Sequence, residues 1–282
     1  MKKMLITIAH PSDEAFMFGG TIAKYANDGW DIQLICATNG EKGSSGALTW
    51  ASGDALGALR QDELAKAQGI LGITSVKFLG HKDRKLKILT PGTLEDPICD
   101  YMMEFNPDVV LTFDTIGINN DPDHIKVSYA TTFAFQKYCT YLESLKQPGY
   151  TTKGRGKLWK LDEFTRAFSD TEGVEKEPKL YYACFPEHVM KYLQKAGLFY
   201  EESFDAPWHG VNDKFITTVI DIEKEREQKE QALQSHESQR EDIDKFIAFP
   251  NNPLMKQEYF MLRMQSIHEV FMGKTDQIAA SL

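Results

Sequence analysis

An apolar run, Met4 to Ala9, stops at His10-Pro11-Ser12-Asp13-Glu14, and this junction constrains the fold more than any other stretch. Such a run reads as a strand buried on both faces of a parallel sheet. Behind it, Ala15 to Trp30 reads as a helix with Gly19-Gly20 near its start. A strand that feeds directly into a helix is the unit of an open α/β sheet, and such sheets gather ligands at the carboxyl ends of their strands. An imidazole and two carboxylates therefore stand where a ligand is expected. Taken alone, Pro11 and Ser12 would equally suit a plain turn and helix cap.

The same alternation continues through the first half. Strands are expected at 3–9, 32–38, 75–79 and 108–113, and helices at 15–29, 55–72 and 92–105, with another after Asp123 to about Leu145. This predicts an α/β, Rossmann-like, mostly parallel sheet with helices on both faces and right-handed crossovers. With 282 residues, one domain spanning 1–282 accommodates it. Residues 146–180 lose periodicity and read as an inserted flap, the chain rejoining the sheet at Lys179 to Phe185. Phe215 to Ile222 reads as the last strand. Glu223 to Phe246 reads as a charged helix with a solvated face, and Leu254 to Met272 as a final helical region, so 223–272 is expected to be helical.

The bulk numbers exclude several classes. A net charge of -9 disfavours non-specific nucleic-acid binding. No apolar stretch approaches the length of a membrane span. Cys36, Cys99, Cys139 and Cys184 are far apart and form no C-x-x-C, as expected of reduced thiols in a cytoplasmic protein. The acidic helix leaves a homo-oligomer open.

A second constellation, Gly117-Ile118-Asn119-Asn120-Asp121-Pro122-Asp123-His124, follows the strand ending at Phe113. Two such loops on neighbouring strands can face each other across a crevice. His10, Asp13 and His124 would then offer two nitrogens and one oxygen to a divalent ion, the pattern of catalytic zinc with a position open for water. Iron(II) suits the same ligands.

With both loops in view, the chain resembles the LmbE-like family, also called the PIG-L deacetylases. Ala9 to Glu14 matches the family's Ala-His-Pro-Asp-Asp-Glu except at Ser12. Thr38-Asn39-Gly40-Glu41-Lys42-Gly43 matches its Thr-x-Gly-Glu-x-Gly loop, and Arg60 with Glu63-Leu64 its next helix. Leu79-Gly80-His81-Lys82-Asp83 is similar to its loop after the third strand. Asp121-Pro122-Asp123-His124 matches His-Pro-Asp-His except at its first residue. Lys229, Ala232-Leu233, His236 and Ser238-Gln239 match its Ala-Leu-x-x-His-x-Ser-Gln helix. The resemblance covers roughly residues 1 to 240. It implies zinc-dependent hydrolysis of an acetamide on an N-acetylglucosamine-type substrate by attack of zinc-bound water. His10, Asp13 and His124 would be the metal ligands, and Arg60 and Glu41 the contacts to substrate. Asp123 would orient a ligand or fix the turn. Glu14 would cap its helix or sit behind the metal, and His236 would support the site or simply pack.

Two departures fall on the family's catalytic positions. Ser12 replaces the general base, and a serine hydroxyl is no base near neutral pH. Asp121 replaces the histidine that would stabilise the oxyanion. Either Asp121 has taken over as base across the metal, or the chain is a zinc-binding sugar-recognition or regulatory protein with little or no hydrolase activity, or Ser12 is an engineered change. A dinucleotide-dependent Rossmann enzyme is disfavoured, because the first turn lacks Gly-x-Gly-x-x-Gly. Trp159, Tyr181, Tyr182 and Trp208 could stack on a sugar or belong to the core.

Overall fold

The computed structural model describes residues 1–46, 48, 51–146, 176–270 and 278–282. Its centre is one eight-stranded sheet of mostly parallel strands with helices around it. The strands are β1 (Lys3–Ile8), β2 (Asp31–Thr38), β3 (Ser75–His81), β4 (Val109–Phe113), β5 (Lys179–Ala183), β6 (Thr218–Asp221), β7 (Gln257–Gln265) and β8 (His268–Glu269). Their order is β8-β7-β5-β4-β1-β2-β3, with β6 also paired to β7. The helices are α1 (Asp13–Asn27), α2 (Asp54–Leu71), α3 (Glu95–Phe105), α4 (Pro122–Leu145), α5 (Glu187–Lys195), α6 (Arg226–Gln234) and α7 (Arg240–Ala248).

The first four strands and four helices lie where hydrophobic periodicity places them. β1 is fully buried from Met4 onward and pairs in parallel with β2 and with β4. The chain lays β2 and β3 to one side of β1, then crosses to lay β4 and β5 on the other. That reversal makes a crevice beyond the carboxyl ends of β1 and β4, the place where open α/β sheets bind ligands. His10 and His124 follow those two strands.

The second half departs from expectation in three ways. Phe215 to Ile222 contains β6, but this is not the last strand. The expected final helical region, Leu254 to Met272, is mainly strand where it is described: after a 3₁₀ turn at Pro253–Met255, β7 runs antiparallel to β5 and β6. Its Met, Leu, Gln and Glu content favours helix, and burial on both faces erases the alternation that marks a strand. The charged stretch Glu223 to Phe246 is two helices, α6 and α7, separated by a 3₁₀ turn at Glu237–Gln239. Its charges do not all face water, since Lys229 and His236 are completely buried. Residues 147–175, which hold most of the expected flap together with Trp159, lie outside the described residues. No described helix is long and apolar enough to cross a membrane. The four cysteines are buried and unbridged.

The Gly19-Gly20 pair is explained by close packing on α1. A Cβ added at Gly20 would lie 2.5 Å from Ile222, and one at Gly19 would lie 3.1 Å from Lys229 Cγ. Lys229 donates to Glu258 Oε1 at 2.7 Å and to the Leu254 carbonyl at 3.0 Å. The Glu258 oxygens also accept from the N–H groups of Gly20 and Thr21. This buried ion pair is fully hydrogen-bonded, as burial of charge requires. Gly20→Ala should lower the free energy of urea unfolding by about 1–3 kcal/mol through overpacking. Gly69→Ala, on α2 with nothing within 4 Å of its added Cβ, should be neutral or mildly stabilising.

Candidate active site

The turn after β1 is closed by Asp13, whose Oδ2 accepts from the N–H of His10 at 2.8 Å and of Ala9 at 3.2 Å. Ser12 sits in this turn at φ 99°, a left-handed conformation uncommon for serine. Its N–H donates to Glu14 Oε2 and its hydroxyl to Gln239 Oε1 at 3.1 Å. Beyond β4, Gly117 (φ 64°) lets the chain turn tightly, because a Cβ there would meet His124 and the Ile125 nitrogen at 2.8 Å. Asp121 then caps α4, its Oδ1 accepting from Asp123 N at 2.8 Å, with Pro122 at the first helical position. His124 follows on the first turn, stacked on Phe113 with ring centroids 4.2 Å apart.

Both imidazoles are oriented by acceptors on their outer nitrogens. His124 Nδ1 lies 3.1 Å from the Gly117 carbonyl, so that nitrogen carries the proton. His10 Nε2 lies 3.2 Å from Asp83 Oδ1 and 3.6 Å from Asp123 Oδ2. The inner nitrogens, His10 Nδ1 and His124 Nε2, face each other at 3.3 Å. Asp13 approaches both, with Oδ1 3.4 Å from His124 Nε2 and Oδ2 3.8 Å from His10 Nδ1. Asp121 offers a further oxygen within 4.8 Å of both rings. Ligands about 2.0–2.2 Å from one tetrahedral ion stand roughly 3.3–3.6 Å from each other; the set containing both rings whose ligand atoms all lie within 4.8 Å of one another is His10, Asp121 and His124, while Asp13, expected as the third ligand, approaches the two rings with different oxygens.

The electrostatics agree with the geometry. Burial disfavours the His10 imidazolium, but Asp123, Asp83 and Asp13 outweigh it and raise its pKa well above the usual value. Burial likewise opposes ionisation of Asp13, yet His124 and His10 hold its carboxyl below the ordinary range. For Asp83, His10, the Lys42 N–H and the Arg84 charge reverse the effect of burial. A cluster that draws positive charge this strongly also draws a metal cation.

These groups open into a pocket of about 270 Å³. Ser12, Asp121 and Arg60 line it as well. Arg60 differs from the expected substrate contact: it is 5% exposed and donates to the carbonyls of Gly40 and Ser44 and to Ser238 Oγ, tying loops together. Glu41 does not line this pocket. It accepts from Asp83 N at 3.1 Å and borders a neighbouring recess with Asn39, Asp54 and Lys82. Tyr181 and Tyr182 are buried in β5, and Trp208 donates to the Ile118 carbonyl, so all three serve the framework.

A buried polar network supports the site from behind. His236 Nε2 lies 2.6 Å from Glu14 Oε1, both fully buried. Glu63 accepts from the N–H and the hydroxyl of Ser238, and Ser238 accepts from Arg60. The segment with the Ala-Leu-x-x-His-x-Ser-Gln pattern, which runs from the end of α6 into the 3₁₀ turn, thus fastens the Ser12 turn to the Gly40–Ser44 loop. Asp83, Arg84, Phe204 and Gln239 are among the pocket residues to which the sequence alone assigns no role. Phe204 projects from a two-residue turn, φ 52° there and 58° at Asp205, with no glycine to mark it.

Residues 5–135 match the family model PIG-L, described as GlcNAc-PI de-N-acetylase. The chain is 29% identical over 290 aligned residues to the 1D-myo-inositol 2-acetamido-2-deoxy-alpha-D-glucopyranoside deacetylase of Rhodococcus erythropolis, covering 93% of this chain and 90% of that one. Among solved structures, the 4-carboxy-2-hydroxymuconate hydratase GalB of Pseudomonas putida is similar at TM-score 0.60 and 19% identity, covering 96% of this chain and 100% of that one. The N,N'-diacetylchitobiose deacetylase of Pyrococcus horikoshii is similar at TM-score 0.59 and 18% identity, covering 93% and 83%. Those two structures are of a hydratase and a deacetylase, so the shared fold does not choose the chemistry.

His236→Ala should leave the Glu14 carboxylate buried without its partner and destabilise the protein by about 3–5 kcal/mol. Urea unfolding of the variant measures this, and an unchanged midpoint would rule the pairing out as a structural support.

Proposed function

Residues 5–135 belong to the PIG-L (LmbE-like) family, and on that premise we propose that this chain is a metal-dependent N-deacetylase acting on an N-acetylglucosamine-type substrate. The observation that carries the reading is the convergence of His10 Nδ1, His124 Nε2 and Asp13, with both outer imidazole nitrogens already held by oxygen acceptors. A zinc ion held by these three residues would polarise the acetyl carbonyl and acidify a water.

The chain's own groups supply the rest. Asp83 and Asp123 hold the His10 ring in the tautomer that frees Nδ1. One Asp121 oxygen caps α4, and the other is free to act as general base. It accepts a proton from the attacking water and returns it to the departing amine, so the C–N bond breaks to give acetate and a free amino sugar. Ser12 orients groups through its hydroxyl and takes no proton. A second reading, sugar recognition without turnover, is favoured by the engagement of Ser12 with Gln239 at the position where the resemblance expects the base.

Asp121→Asn separates the two readings, because asparagine keeps the helix cap and removes the base. It should lower kcat for acetate release from an N-acetylglucosaminide by roughly 10²–10⁴-fold, with bound metal unchanged by elemental analysis. Adding Ser12→Asp to that variant should restore part of the rate; aspartate tolerates the left-handed backbone at this position. A parent without turnover that still binds the sugar would support the second reading. Asp83→Asn should weaken metal binding about 10–100-fold in a chelator competition, with loss of activity following loss of metal.

A further inference from the structure

Arg84 lines the pocket beside Asp83, whose carboxyl its charge helps to hold down. Its guanidinium has no hydrogen-bond or ion-pair partner among the described residues. Arg60, expected from the resemblance to contact substrate, spends its donors on Gly40, Ser44 and Ser238. The backbone at Arg84 is left-handed, φ 62°, where arginine is disfavoured. Asp123 holds it there, accepting from Arg84 N at 2.6 Å and from Leu86 N at 3.1 Å. The same Asp123 carboxylate faces His10. A strained residue held in place by a site carboxylate, with its guanidinium donors at the pocket and not hydrogen-bonded among the described residues, is a feature that folding alone does not explain.

We propose that Arg84 is a specificity-determining residue that binds an anionic group on the aglycone of the substrate. The proposal deepens the deacetylase reading and takes its substrate frame from it. Arg84 is exposed and stands at the rim, whereas His10, Asp13 and His124 lie deeper, so an acetamide placed at the deeper groups leaves the aglycone toward Arg84. Glu241 and Asp242, on the first turn of α7, also line the pocket. They offer only acceptors, suited to sugar hydroxyls, and neither lies within ion-pair distance of Arg84. A planar guanidinium with its donors free is suited to a carboxylate or phosphate oxygen pair.

The test uses two synthetic α-N-acetylglucosaminides of nearly equal shape, carboxymethyl and carbamoylmethyl, which differ in charge. Affinity is measured calorimetrically on the metal-analysed protein, and acetate release is assayed separately. The parent should bind the carboxymethyl compound more tightly. Arg84→Gln should lose roughly tenfold or more for that compound and less than twofold for the amide. Arg84→Lys should lie between, and raised salt should narrow the parent's preference. Equal affinities in the parent, or equal losses for both compounds in Arg84→Gln, overturn the proposal. Discrimination by charge without acetate release from either compound would sink the deacetylase reading and leave Arg84 as an anion reader. Acetate release from both without discrimination would do the reverse.

Discussion

The Asp123 carboxylate is the constraint on which the site depends. It faces the Nε2 edge of His10 and accepts from the backbone N–H groups of Arg84 and Leu86. Three segments from distant parts of the chain therefore meet on one buried side chain: the turn after β1, the loop after β3 and the first turn of α4. Asp121, two residues earlier, caps the helix that carries Asp123. A buried carboxylate is tolerable only when hydrogen-bonded by several donors. The turn after β1 and the loop after β3 supply those donors, α4 carries the carboxylate, and each is fixed in return. Metal ligation inherits this order, because His10 presents Nδ1 only while its other edge is held.

The second support comes from the C-terminal third. α6 and the 3₁₀ turn after it carry Lys229, His236 and Ser238 into the interior, where they meet Glu258, Glu14 and Glu63. Such pairs contribute little net stability compared with apolar packing, but they are costly to break singly. Their effect is to fix register: α1 can lie against α6 only where Gly19 leaves room for Lys229, and against the segment after β6 only where Gly20 leaves room for Ile222. The Ser12 turn and the Gly40–Ser44 loop are consequently held by one continuous set of hydrogen bonds. Arg60 belongs to that set, which is why it resembles a substrate contact in sequence and acts as a brace in the structure.

Legibility of the chain in its sequence falls from the first half to the second. β1 to β4 and α1 to α4 could be read because strands buried on both faces and helices buried on one leave different apolar spacings. β7 could not, since its helix-favouring residues are buried on both sides by neighbours that come from elsewhere in the chain. The break between α6 and α7 was equally hidden, because Glu63 on α2 is what holds the Ser238 turn.

The sequence by itself determined the two loops that bear His10, Asp13, Asp121 and His124, and their placement at strand ends, because strand, turn and helix follow from local residue order. Only the tertiary structure decided which groups those residues face. It gave Asp83 and Asp123 to His10, turned Glu41 away from the pocket, occupied Arg60 with carbonyls and left the Arg84 guanidinium at the pocket with no hydrogen bond or ion pair among the described residues. The physical reason is that a side chain's partners are set by packing between segments far apart in the chain. Hydrogen-bond capacity is finite, so a donor used by the framework is a donor withheld from a ligand.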